Sequence, residues 1–85
     1  METAAPFSRE VLEGILEELA ETTHYGEVLR AKGMVPTKEA GEWLYFDLVP
    51  EQYEIRKGRP DYTGKICVIG ARLKEEELKK AFGRG

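Results

Sequence analysis

Apolar and polar positions along the chain change their period three times. From residue 7 the period is helical: Val11, Leu12, Ile15, Leu16 and Leu19 form one stripe, while Glu10, Glu13, Glu17, Glu18 and Glu21 lie elsewhere on the wheel. Ser8 is a good N-cap, Glu10 suits the positive end of the helix dipole, and Phe7 and Leu12 have the spacing of a hydrophobic staple. Gly14 interrupts this helix at a cost of about 1 kcal/mol relative to alanine, and the pattern supplies no reason for it. Residues 22–27 read as a loop, with Gly26 near its end.

Strand signals follow. Residues 28–35, 43–49 and 65–69 read as strands, and are stopped by Pro36, Pro50 and Gly70. Residues 2–5 suit a short edge strand, residues 53–56 a short extended piece, and Lys57-Gly58-Arg59-Pro60-Asp61 a turn. Residues 74–82 close the chain as a short helix. Leu78, Ala81 and Phe82 share a face there, Glu75–Lys79 and Glu76–Lys80 stand in the favourable order, and Gly83 sits at C′. The expected fold is α+β: a two-layer β-α-β-β-β-α arrangement, with a mostly antiparallel sheet of about four strands and both helices on one face.

Alternation assigns the faces of that sheet. Leu29, Ala31 and Val35 fall on one face of the second strand, and Val28, Arg30, Lys32 and Met34 on the other. Leu44, Phe46 and Leu48 oppose Trp43, Tyr45, Asp47 and Val49 on the third. The purely apolar sets are expected to meet the helices. Ile66-Cys67-Val68-Ile69 is apolar on both sides, which predicts a central strand whose second face is at least partly covered. The remaining positions build an open face from Arg30, Lys32, Trp43, Tyr45 and Asp47, with Gly33 permitting close backbone approach or a bulge. Tyr53, Arg56 and Asp61 extend this candidate interaction surface if their register allows. Aromatic residues mixed with Arg and Lys are enriched at interfaces, although cross-strand pairs with basic stems lying over rings also stabilise sheets that bind nothing. For the face as a whole the balance favours docking, because two helices cannot cover both sides.

Composition narrows the picture further. The 85 residues suffice for one domain, so residues 1–85 are read as a single unit. Such a domain buries only about 60–65% of its unfolded surface and is marginally stable, so leftover apolar surface gains by docking. Residues 1–27 carry one basic and seven acidic side chains, a balance of −6; residues 28–85 carry twelve and nine, a balance of +3. The overall charge of −3 argues against nucleic acid as the partner. The lone Cys67 excludes an internal disulfide and favours a reducing, cytoplasmic setting. No apolar run approaches a membrane span or a signal peptide. Met1 reads equally as a native start or as the start of an excised domain.

The chemistry-bearing residues are sparse. His24 and Cys67 are the soft metal-ligand types, and a zinc site needs three or four ligands, so no metal residues are assigned. Ser8 reads as a cap, not a nucleophile, and the glutamates of the first helix as a solvated face. There is no glycine-rich phosphate loop. No catalytic residues are assigned, and the chain is read as a non-enzyme.

An ordered set of motifs resembles a known family. A helix opened by Phe7-Ser8-Arg9-Glu10 precedes Val28-Leu29-Arg30-Ala31-Lys32-Gly33. Trp43-Leu44-Tyr45-Phe46-Asp47, Gly64-Lys65-Ile66-Cys67-Val68-Ile69-Gly70 and the helix of Glu75-Glu76-Glu77-Leu78 follow. From about residue 5 to residue 82 this succession resembles the C-terminal domain of the CobW family of metal-handling GTPases. The resemblance implies an accessory domain attached to a P-loop GTPase domain and associated with delivering metal ions, including cobalt for cobalamin, to client proteins. GTP, magnesium and a transition metal are implied for a linked or partner GTPase domain only. This chain has neither GxxxxGK[ST] nor a CxxC-like motif, so that chemistry is carried over to none of its residues, and no cofactor is assigned to it. It also lacks a histidine-rich segment, and Lys74 stands where an Asp-like cap is common.

Three readings result. The first is a non-catalytic accessory domain that docks through its open face on a GTPase domain, in cis or in trans, during delivery of a metal or corrinoid cofactor to a client. The second is a module for single-stranded nucleic acid, with Trp43 and Tyr45 as stacking platforms. The third is a homodimer through the same face.

Overall fold

The computed structural model describes residues 1–39 and 41–83. Its elements are β1 (Glu2–Thr3), α1 (Arg9–Glu21), β2 (Glu27–Pro36), β3 (Trp43–Val49), β4 (Gln52–Gly58), β5 (Gly64–Ala71) and α2 (Glu75–Gly83). The five strands form one antiparallel sheet in the order β1-β5-β2-β3-β4. The fold class is α+β as expected, with one strand more: residues 52–58 pair along their whole length with β3 and make a full edge strand.

Local signals explain α1. The Ser8 Oγ accepts a hydrogen bond from the Val11 backbone N–H at 3.2 Å, and Phe7 and Leu12 are both fully buried. Val11 leaves the expected stripe and is 45% exposed, because the sheet lies under Leu12, Ile15, Leu16 and Leu19. The start of α2 forms without a polar N-cap side chain. The Leu78 N–H bonds to the Lys74 carbonyl, the Lys74 N–H bonds to the Tyr25 carbonyl, and three glutamates fill the first turn. The expected i,i+4 pairs give way to an i,i+3 contact of 3.6 Å between Lys80 and Glu77.

Both helices contribute to one apolar cluster with the inner face of the sheet. Leu12, Ile15, Leu16 and Leu19 of α1, and Leu78, Ala81 and Phe82 of α2, meet Ala31, Val35, Leu44, Phe46, Leu48 and Ile66. The Phe46 and Phe82 rings stack with centroids 6.2 Å apart. The two helices thus share one layer, and the opposite face of the sheet has no helix over it.

A β-bulge corrects the reading of β2. Val28 pairs with Gly70 and Arg30 with Ile69, so Leu29 is an extra residue without a partner. The insertion reverses the parity of the strand's start. Val28 is buried in the core, while Leu29, expected inside, is 60% exposed. From Arg30 onwards the alternation runs as read.

β5 also differs from expectation. It lies between β1 and β2 and its Ile66 is buried, yet among the described residues no element covers its second face. Cys67 is exposed and Ile69 is 54% exposed.

Candidate interaction face

The face opposite the helices is defined by strand register. Lys32 stands between Asp47 of β3 and Cys67 of β5; Met34 stands between Tyr45 and Lys65; Arg30 faces Ile69. On the other side, Asp47 faces Glu54, Tyr45 faces Arg56, and Trp43 faces Gly58. Arg30, Lys32, Tyr45, Asp47 and Arg56 therefore share one surface, as the alternation implies.

Two of the expected surface residues serve the interior instead. Tyr53 pairs with Leu48 and packs against the core cluster, so it belongs to the helix-facing side of β4. Gly33 pairs with Phe46 on that side too. A Cβ at Gly33 would lie 2.5 Å from the Lys65 carbonyl oxygen and 2.8 Å from the Phe46 ring. The close approach it permits is internal, and the bulge of β2 falls at Leu29. Trp43 lies on the open side by parity but is only 9% exposed.

The burial of Trp43 coincides with the chain crossover. Residues 59–63 run from the end of β4 to the start of β5 and must pass the ends of β3 and β2. The Tyr45 hydroxyl ties this connection down by donating to the Arg59 carbonyl at 2.8 Å. Its ring lies over Gly58, where a Cβ would come within 2.1 Å of a ring carbon. Neither aromatic side chain presents a free ring face with a free polar tip, so the stacking surface required by the nucleic-acid reading is already used internally. Tyr62, in the connection itself, is fully exposed and was not singled out by the pattern.

The charges divide the face into two halves. On β3 and β4, the Arg56 guanidinium lies 2.9 Å from the Asp47 carboxylate and 3.1 Å from that of Glu54. Its hydrogen bond to Asp47 is the chief reason that its pKa is raised above the ordinary arginine value. One guanidinium nitrogen, Nη1, thereby engages both acids, including the one opposite Lys32. On β2 and β5, Lys65 is paired with Asp61 at 3.6 Å. Arg30 and Lys32 are exposed and, among the described residues, make no ion pair. Around them lie the exposed Leu29, Val49, Cys67 and Ile69. Leu29 was misplaced by alternation because the bulge is not written in its period. Cys67 and Ile69 were missed because the two-sided apolar character of residues 66–69 reads as a covered central strand; that same character is the signal that could have marked them.

Residues 1–84 match the family described as the cobalamin synthesis protein cobW C-terminal domain. The chain belongs to the CobW C-terminal domain family. It is similar to the crystal structure of Zn(II)-bound YjiA GTPase from E. coli, at 30% identity and a TM-score of 0.71. It is also similar to a Zn(II)-bound triple mutant of YjiA GTPase, at 30% identity and a TM-score of 0.72. Each alignment covers 96% of this chain and 27% of the other, so the CobW-type domain spans about a quarter of the length of those structures. No curated protein matches the chain.

Within this CobW C-terminal domain, no group of three or more His, Cys, Asp or Glu side chains could hold a metal among the described residues. His24 lies 3.9 Å from Glu77 and edge-on to Tyr25, far along the chain from Cys67 on the open face. No described helix is long and apolar enough to cross a membrane.

Proposed function

We propose that this domain is the non-catalytic accessory part of a CobW-type GTPase that handles metal ions, and that it docks on the GTPase domain through the uncovered face of its sheet. Family membership supports the link to a GTPase, and similarity to two Zn(II)-bound GTPase structures supports a role beside metal handling. The observation that carries the docking is the one-sided fold. Both helices pack on one face, while the other leaves Ile69, Cys67 and Val49 in water beside Arg30 and Lys32, which have no carboxylate partner among the described residues. A domain of this size has little stability to spare, and exposed aliphatic groups on a rigid sheet favour burial against another surface.

In this reading GTP, magnesium and the metal belong to the GTPase domain. The accessory domain transmits nucleotide state or holds the client, a metalloprotein or a corrinoid protein, in the cytoplasm. The test is to titrate the isotope-labelled domain with the CobW-family GTPase domain of its own organism. Amide signals of Arg30, Lys32 and Tyr45 are expected to shift while those of α1 and α2 stay. An unchanged spectrum, or shifts confined to the helices, removes the proposal. Self-association through the same face would appear as a concentration-dependent sedimentation coefficient of the domain alone.

A further inference from the structure

The two halves of the open face differ in what they can still bind. On β3 and β4, Asp47 and Glu54 are satisfied by Arg56, the Tyr45 hydroxyl is satisfied by the Arg59 carbonyl, and Trp43 is buried. A partner arriving there would have to break existing contacts before making its own. On β2 and β5, the Arg30 and Lys32 side chains project into solvent unpaired. Next to Lys32 the surface dips into a shallow depression whose lining includes Met1, Glu2, Met34, Lys65 and Cys67. Exposed Ile69 and Leu29 continue the apolar surface beyond Arg30.

Resting on the docking reading above, we propose that the domain meets its GTPase domain on the β2–β5 half alone, and that the surface it takes there presents carboxylates flanked by aliphatic side chains. Charge complementarity selects the occupant. Unpaired cations among apolar groups gain most from an anion whose own surroundings exclude water, since the dielectric falls as the interface closes. Arg30 offers a planar fork for a bidentate carboxylate, and Lys32 a point charge one residue pair further along the strand. A polyanion such as RNA fits less well, because among the described residues Arg30 and Lys32 are the unpaired cations of this face, and the Trp43 and Tyr45 rings of β3 are already engaged.

The experiment compares the intact chain with two variants, R30E/K32E and Glu54→Gln, the second on the β3–β4 half with the Arg56–Asp47 contact left in place. All three are titrated with the same GTPase domain by calorimetry, with circular dichroism confirming that each is folded. Affinity is expected to fall at least about tenfold in R30E/K32E and to change less than about threefold in Glu54→Gln. Added salt should weaken the unaltered chain and have little effect on R30E/K32E. If the unaltered chain binds but R30E/K32E binds equally well, this inference fails and the docking reading stands. If the unaltered chain does not bind, both fail. Binding of poly-uridine or of phosphatidylserine vesicles through Arg30 and Lys32, at affinity equal to that for the GTPase domain, also overturns the inference.

Discussion

Replacing Gly33 with alanine separates a structural glycine from an interface glycine by the sign of one free energy. A glycine in the middle of a strand costs roughly 0.5–1 kcal/mol relative to alanine, so a Gly33 that faced solvent would stabilise the domain when replaced. Here the added methyl would sit 2.5 Å from the Lys65 carbonyl oxygen and 2.8–2.9 Å from two atoms of the Phe46 ring. Both are inside van der Waals contact, and the carbonyl is backbone held in the ladder between β2 and β5, so it cannot simply rotate away. Overpacking of this kind costs typically about 1–3 kcal/mol. The net expectation is a loss of about 0.5–2 kcal/mol, from a total that for a domain of this length is roughly 4–13 kcal/mol. Urea unfolding followed by circular dichroism measures it directly. Thermal unfolding reads the same loss at roughly 4–8 °C per kcal/mol. In a Phe46→Leu background the ring contacts vanish and the carbonyl contact remains. The penalty for Gly33→Ala should therefore shrink there without disappearing, giving a coupling of about 0.5 kcal/mol or more. A Gly33→Ala domain as stable as its parent refutes the internal close approach. If that stable variant also lost the GTPase domain, Gly33 would be a docking contact after all.

Other expectations follow from the same geometry. Gly14→Ala should raise stability by about 0.5–1 kcal/mol in urea unfolding, because a Cβ there meets nothing within 4 Å and the helix gains propensity; a loss would mean that the space along α1 is not open. The bulge predicts opposite sensitivities for two adjacent residues. Val28→Ala should cost about 1–2 kcal/mol from lost burial, while Leu29→Ser should stay within about 0.5 kcal/mol of the parent, and the reverse ranking would place Leu29 in the core. Cys67 should react with a thiol reagent in the folded domain without denaturant, since it is exposed on the open face. Reaction should slow when the GTPase domain is bound, and protection in the free domain would contradict the exposed second face of β5.

The sequence by itself determined what short-range spacing encodes. Ser8, Glu10 and the stripe of α1 specify a capped amphipathic helix because caps and apolar period act within one or two turns. The strict alternation of Leu44, Phe46 and Leu48 settles which face of β3 is inward, since a strand cannot slip by one residue without exposing its whole apolar set. The ordered motifs from Phe7 to Leu78 likewise sufficed for the family. Tertiary structure decided everything that depends on a partner strand. The bulge at Leu29 exists because of how β2 registers against Ile69 and Gly70 of β5, far along the chain, so the period of β2 alone misassigned Val28 and Leu29. Tyr53 faces inward because β4 pairs with β3 in a register that no local pattern states. The crossover residues of the β4–β5 connection engage Tyr45 at an end of the sheet where Trp43 is also withdrawn from water. Above all, the choice of Arg56 rather than Lys32 as the partner of Asp47 is made across strands, by whichever cation can reach two carboxylates at once, and it leaves Arg30 and Lys32 as the free charges of the face.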